Sequence, residues 1–475
     1  MSLNSALSAS LSGLSASAKR AEVVSSNIAN AQTPGYVRRQ VVLVPAGPGA
    51  GRVGVHVVSI TRPQDHGLLA ERRIAGAAAA GAGVTAGFLK TAEAAFGAPG
   101  DPASFSARLS ALESALINAS SQPGNEARLM AVRDALAGAA LGLQRATDSV
   151  QTARQAADSR IASEVAEVNL ALKKVATLNA AIAAGQAGGQ DISAQLDQRQ
   201  ALVDRIATIV PLREAPRDQM RIALYTTGGA ILLHDSPATL EFESTGVIGA
   251  EDTALPGLRL NDRPVQMGEG SVLGGGSLGA LFRLRDELAP RAQARLDLLA
   301  ADLTDRLAAT DRHGGLGWLT DAGQPPDLGN SVGLAGRLAV NARLDPAQGG
   351  ALWRLRDGLS AATPGPLGDG SRLSAQASAM TDARQSGAPL LSPGSRSLLG
   401  LAADFLGQTA QSRLAAEAEA SFTAARADTL TQAEQENGVD TDAELQDLMA
   451  VEKAYGANAK VLKTLDDLMQ LLLEV

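Results

Sequence analysis

Apolar residues recur every seven positions at both ends of this chain, and the period changes between them. Leu7, Leu14, Ala21 and Ile28 are seven apart, with Leu3, Leu11, Ala18 and Val24 interleaved. This spacing predicts one helix with a narrow apolar stripe. The pattern stops at Thr33-Pro34-Gly35-Tyr36, where Pro34 and Gly35 suit the two central positions of a type II turn. Val41–Val44 and Val53–Ile60 then predict a β-hairpin.

Helical spacing follows over 64–96, weakened by Gly76, Gly81, Gly83 and Gly87, and again from Phe105 to Leu116. "SSQPGNE" (120–126) breaks it and supplies a new cap at Asn125. A long helix is predicted from there to about Ala184, in which Ile161, Val168, Val175 and Ile182 are seven apart with Val165 and Leu172 between them. "GQAGGQD" (185–191) ends it, and one more helix runs on Ile192, Leu196, Val203 and Ile206 to Pro211. Residues 212–268 change period. Met220, Ile222 and Leu224 alternate, "AILLHD" and "ATLEFE" read as strands, and a hairpin is predicted about Asn261-Asp262. Helix returns on Leu278 to Leu307, with Pro290 expected to kink or restart it. The Gly/Pro-rich stretch 313–395 has no strong period, and 397–436 is helical again.

The C-terminal pattern is the most regular. Leu448, Tyr455, Leu462 and Met469 are seven apart, and Val451, Asn458, Leu465 and Leu472 repeat the spacing three residues on. A helix with such a stripe and no apolar neighbour must find a partner. The two ends are the obvious partners for each other. The expected fold is therefore mainly α with an inserted β module, its terminal helices paired as a coiled-coil stem. Four parts are expected: a stem from 1–60 with 436–475, a long-helix bundle from 61–211 with 277–312 and 396–435, a small β domain over 212–276, and an irregular segment or reduced outer subdomain over 313–395.

Composition narrows the chemistry. The 475-residue chain carries a net charge of −8, which argues against nucleic acid as a partner. It has no cysteine, so disulfides and thiolate chemistry are excluded. Lys19 and Arg20 follow the first apolar positions, unlike a cleavable signal, and the best membrane candidate, Ile74 to Leu89, is 16 residues of mostly Ala and Gly. No membrane insertion is expected. Gly274, Gly276 and Gly279 match a dinucleotide fingerprint but lack the preceding strand and βαβ unit that it requires. His56, His66, His234 and His313 have no metal-ligand spacing. Asp440, Asp442, Glu444 and Asp447 stand at a helix start, where carboxylates complement the dipole. Neither cofactor, metal nor catalytic residue is expected.

"SALSASLSGLSASAKRAEVVSSNIANAQTPGYVRR" (5–39) resembles the N-terminal signature of the flagellar rod, hook and hook-associated family. The positions that carry it are Asn27, Ile28, Ala29, Asn30, Thr33, Gly35, Tyr36 and Arg38, while Ser26 stands where members commonly have a second Asn. "DQRQALVDRIATIV" (197–210), "GSLGALFRLRDELAPRAQARLDLLAADL" (276–303) and the last 39 residues are similar to the hook–filament junction branch of that family. The resemblance implies a structural protein exported unfolded through the flagellar type III apparatus and polymerised as a helical ring at the hook tip. Implied partners are further copies of itself, the hook protein, a second junction protein and, before export, a chaperone on the C-terminal helix. It implies an assembly role for Leu7, Leu14, Asn27, Ile28, Asn30, Thr33, Gly35, Tyr36, Arg38, Leu448, Val451, Tyr455, Asn458, Leu462, Leu465, Met469 and Leu472. The rival readings are another axial subunit, an exported peptidoglycan-cleaving rod enzyme and a cytoplasmic coiled-coil scaffold.

Overall fold

A computed structural model describes residues 3–33, 35–45, 54–97, 100–268, 270–311, 316–385, 394–436 and 438–473, and Pro34, Val53, His313 and the side chain of Leu472 lie outside the described set. The chain forms two compact units. The first comprises 1–78, 167–239 and 423–475, and the second 79–166 and 240–422.

In the first unit, helix α1 (Leu3–Asn30) packs along α12 (Thr441–Leu473), the pairing that the two narrow stripes predict. Of the described residues on the predicted lines only Val24, Val451 and Leu465 are buried, so on α1 the seam is offset to residues outside those lines. On α1 it is formed by Ser10, Ala16, Val23, Val24 and Asn27, and on α12 by Val451 and Leu465. Leu7, Leu14, Ile28, Leu448 and Leu462 flank it half-buried. Two helices alone can cover only one strip of each other, so the outer edges of both stripes remain in solvent. Tyr455 and Met469 are exposed, as are Leu3, Leu11, Leu445, Met449, Val461, Leu468 and Leu471. Asn458 sits over Gly13, where a Cβ would come within 2.7 Å of its Nδ2. Its own Nδ2 donates to the Ala454 carbonyl at 3.0 Å.

Strands β1 (Gln40–Pro45) and β2 (Val55–Thr61) form the expected antiparallel hairpin, with a bulge at Val42/Leu43. The hairpin is tied to α1 by the Val55 amide, which donates to Ser12 Oγ at 3.1 Å. Helices α2 (His66–Phe96), α3 (Phe105–Ser121), α4 (Glu126–Ala187) and α5 (Ser193–Ile209) fall where the periods place them. The heptad residues Ile161, Val165, Val168, Leu172, Val175 and Ile182 of α4 are all buried. Helix α4 ends at Gly189, which adopts φ +68° while the Gln190 amide donates back to the Gly185 carbonyl. That is a left-handed glycine cap.

The β region differs from its expectation. Strands β3 (Leu212–Pro216), β4 (Ile222–Thr226) and β5 (Ile231–Leu233) form one antiparallel sheet, whereas β6 (Leu240–Glu241), β7 (Leu258–Leu260) and β8 (Arg263–Val265) form another. The first sheet belongs to the first unit and the second to the second unit. Strands of two to five residues carry too few alternations to reveal which sheet they join. Met220 is in no strand; it lies exposed in a tight turn with positive φ at Gln219 and Met220. The hairpin about Asn261 and Asp262 does form, with both residues at positive φ, as a type I′ turn demands.

In the second unit, α6 (Gly276–Arg283) and α7 (Ala289–Ala308) are joined by a π-helical turn over Leu284–Leu288. Pro290 stands in the first turn of α7, directly after the π-helical turn, where a missing amide hydrogen is best tolerated. Fully buried Arg285 reaches Asp158 at 2.7 Å and lies over the rings of Phe242 and Phe282. The stretch 313–395 is ordered rather than irregular over its described residues. It contains β9 (Leu319–Asp321), α8 (Leu334–Arg337), β10 (Leu338–Val340), α9 (Trp353–Asp357), α10 (Ser371–Thr381), β11 (Arg384–Gln385) and β12 (Ser395–Arg396). Trp318, Leu319, Leu334, Leu338, Leu344, Leu355, Leu359 and Leu373 are fully buried, and α10 packs on α3 and α7. Its elements are too short to show a period, yet they share the core of the second unit. Helix α11 (Leu398–Glu436) completes the chain before α12. Among the described residues no helix is long and apolar enough to cross a membrane.

Candidate functional site

The N-terminal signature residues come together where α1 ends, in the first unit. The last turn of α1 closes with Asn30 Nδ2 donating to the Ser26 carbonyl at 2.9 Å. The Thr33 amide then bonds the Asn30 carbonyl, and the Tyr36 amide bonds the Thr33 carbonyl at 3.1 Å. The second bond closes a β-turn whose third residue, Gly35, has φ +80°. A type II turn requires that angle and strains any residue with a Cβ. A Cβ there would have room, with Ala201 at 3.7 Å, so the backbone angle alone selects glycine.

The turn brings the chain back past Asn27, which is 1% exposed. Its Oδ1 accepts from Tyr36 Oη at 2.9 Å and from the Arg39 amide at 3.0 Å. Its Nδ2 donates to the Arg39 carbonyl at 2.9 Å and to Glu444 Oε2 at 3.0 Å. The amide thereby uses all four of its hydrogen-bonding positions. Glu444, also 1% exposed, takes Arg38 Nε on its other oxygen at 2.6 Å. A carboxylate so deeply buried is tolerable only because both oxygens are engaged. The Arg39 guanidinium lies 4.9 Å from the Tyr36 ring centroid, over its face. One buried amide and one buried carboxylate thus lock α1, the turn and the start of α12 together.

Ionic contacts extend the lock to the rest of the unit. Arg39 and Arg62, at the two feet of the hairpin, share Asp197 of α5 at 2.8 and 2.5 Å. Arg72 and Arg73 of α2 share Asp204 at 2.6 Å each. Arg72 also takes Glu434 near the end of α11, and Arg73 takes Glu214 of β3. Burial outweighs the neighbouring carboxylate and lowers the pKa of Arg62 below the usual arginine value. Burial likewise raises Glu434 above the ordinary glutamate value, with Arg72 pulling the other way.

Of the seventeen residues expected to serve assembly, six build this lock and turn: Asn27, Asn30, Thr33, Gly35, Tyr36 and Arg38. The others lie along the α1–α12 pair, as described above. The acids at the start of α12 divide their work. Asp440 caps the helix through the amides of Asp442 and Ala443, while Glu444 and Asp447 reach α1 and the turn through Arg38, Asn27 and Arg20. Sequence reasoning missed Glu444 as a partner of Asn27, and missed Asp197, Asp204, Glu434, Arg62, Arg72 and Arg73 altogether. The available signal was the number of arginines close to the signature, which implies acids to receive them. The arrangement fixes a junction between helices. Among the described residues no group of three or more His, Asp or Glu could hold a metal.

Three family models match the chain. Residues 89–323 match the flagellar hook-associated protein FlgK helical domain, residues 7–36 the flagella basal body rod protein family, and residues 432–475 the flagellar basal body rod FlgEFG protein C-terminal family. Among solved structures, the flagellar hook junction protein FlgK from Burkholderia pseudomallei is similar with a TM-score of 0.45 and 16% identity, over 54% of this chain and 46% of that one. No curated protein matches the sequence.

Proposed function

The chain belongs to the flagellar family of rod, hook and hook-associated proteins, as a structural hook-associated member, and from that premise we propose that it joins hook to filament by polymerising as a ring of subunits at the hook tip. The observation that carries this reading is the pairing of α1 with α12. Its seam is narrow, and large apolar residues such as Leu11, Met449, Tyr455, Leu468 and Leu471 are left exposed along it. In this reading these side chains form the surface that neighbouring subunits cover. Further copies, together with the hook protein below and a second junction protein above, would cover it.

In this reading the seventeen residues act in two ways. Asn27, Asn30, Thr33, Gly35, Tyr36 and Arg38 set the angle at which the chain leaves the stem. Leu7, Leu14, Ile28, Leu448, Val451, Asn458, Leu462 and Leu465 hold the two helices together, Leu472 continues their heptad line in the sequence, and Tyr455 and Met469 face neighbouring subunits. Segments 1–60 and 436–475 serve as the axial core, and the remainder forms the body. Export proceeds unfolded through the flagellar type III apparatus, with a chaperone covering the apolar stripe of α12 beforehand. The absence of cysteine suits such a route, since no disulfide need form. The role is structural rather than catalytic.

Deletion of the gene tests this. Electron microscopy should show hooks without filaments, with filament subunits free in the medium. Filaments of normal length on the deletion strain would overturn the proposal. Zymography on peptidoglycan addresses the enzymatic alternative: a lytic band from the purified chain would refute the structural role.

A further inference from the structure

A cleft of about 900 Å³ opens in the first unit between β2, the loop that ends α4, and α5. Its walls are apolar in part, with Ile60, Leu69, Leu196 and Val203. Its charged lining consists of Lys19, Arg62, Arg73 and Arg199 against Asp191 and Glu214. The pairing inside this set is uneven. Lys19 is answered by Glu22, Arg62 by Asp197, and Arg73 by Asp204 and Glu214. Asp191 is engaged in accepting the Ser193 amide at 2.9 Å.

Arg199 is different. It is 8% exposed and bonds only neutral oxygens, Asn179 Oδ1 at 2.9 Å and the Met220 carbonyl at 2.7 Å. Among the described residues no carboxylate lies at ion-pair distance from it. Arg73 Nη2, in a side chain 4% exposed, is buried with no hydrogen-bond partner, and so is Arg62 Nε. Burial and the nearby charges of Arg62 and Arg73 hold the Arg199 guanidinium below the usual arginine value, with Glu214 alone among its neighbours acting the other way. Buried cations are normally paired, because an unpaired one loses its hydration without recompense. The N-terminus of α5, where Asp191 already answers the Ser193 amide, lies in the same wall.

We infer that this cleft is a binding site for a carboxylate carried on an apolar body, with Arg199 as its principal ion-pair partner. Guanidinium and carboxylate form the charge-assisted bond that Arg199 lacks, and the aliphatic walls accept a short hydrocarbon chain. The site stands apart from the α1–α12 apolar face and does not depend on the assembly role.

The probe is glutarate, with glutaramide as its uncharged counterpart. Calorimetric titration of the full-length chain at low salt should give saturable one-to-one binding of glutarate and none of glutaramide. Hydrogen–deuterium exchange on the wild-type chain should show glutarate protecting residues 57–62 and 186–200, which locates the site without any substitution. Arg199→Gln should weaken glutarate binding at least tenfold, whereas Arg199→Lys should retain most of it. Absence of saturable binding, equal binding of glutaramide, or protection elsewhere would overturn the inference. Light scattering distinguishes the source of the carboxylate. Self-association reversed by glutarate identifies an acidic side chain of a second copy, and self-association unaffected by bound glutarate identifies a free acid; both outcomes keep the carboxylate site.

Discussion

Asn27 shows how much one side chain can fix. It bonds the Tyr36 hydroxyl, both backbone groups of Arg39 and the Glu444 carboxylate from a position with almost no solvent. Asn27→Ala leaves buried donors and acceptors unanswered on three segments, so unfolding free energy in urea should fall by about 3 kcal/mol. Ser26→Ala removes only a 3.3 Å contact to Tyr36 Oη and should cost less than about 1 kcal/mol. Equal effects of the two would show that Asn27 is not the centre of the lock. Glu434 gives a pH prediction with a definite sign. Its folded pKa is raised by burial, so between the ordinary value of 4.5 and the folded value the native state holds more proton than the unfolded one. Stability from this residue therefore declines as pH rises through that window. In Glu434→Gln that opposing slope is gone, and unfolding free energy should climb more steeply with pH there than in the wild type; identical slopes would contradict the assignment. Much of this residue-scale detail was legible. Gly35 announces a turn by its chemistry alone, whereas Asn27 and Asn30 stand out only through the family resemblance. The partners were not, because Glu444 lies 417 residues from Asn27 and its neighbours Asp440 and Asp442 give the same sequence signal as helix caps.

Among the elements, legibility followed length. The helices α1, α4 and α12 repeat their apolar positions often enough to be read, and each is present. The strands beyond residue 212 and the elements of 316–385 are too brief for a period, so their placement is decided by tertiary packing, as with Trp318, whose indole donates to Asp311 at 2.9 Å inside a fully closed core. The heptads located the stem but not the depth of each line within it. That depth is set by the close approach of Gly13 to Asn458. Gly13→Leu places a bulky side chain where even a Cβ meets Asn458, so it should separate α1 from α12 and raise amide exchange along both helices while the second unit keeps its protection. Unchanged exchange in α1 would show that the helices do not meet at this point.

At the scale of the whole molecule, both ends of the 475-residue chain belong to the first compact unit, together with residues 167–239, and α1 packs along α12 within it. A chain lacking 436–475 loses α12 and the Glu444 anchor, so it should fail to bind an export chaperone and fail to enter the flagellum, while the second unit stays folded by circular dichroism and calorimetry. Incorporation of the truncated chain at hook tips would contradict this account of the termini. The most direct measurement of the central claim is electron cryomicroscopy of intact hook–filament complexes. The account predicts a ring of this chain between the last hook subunits and the first filament subunits, with the paired α1 and α12 helices lining the inner wall and the turn at Gly35 leading outward. Hook and filament in direct contact, or terminal helices placed on the outer surface of that ring, would contradict it.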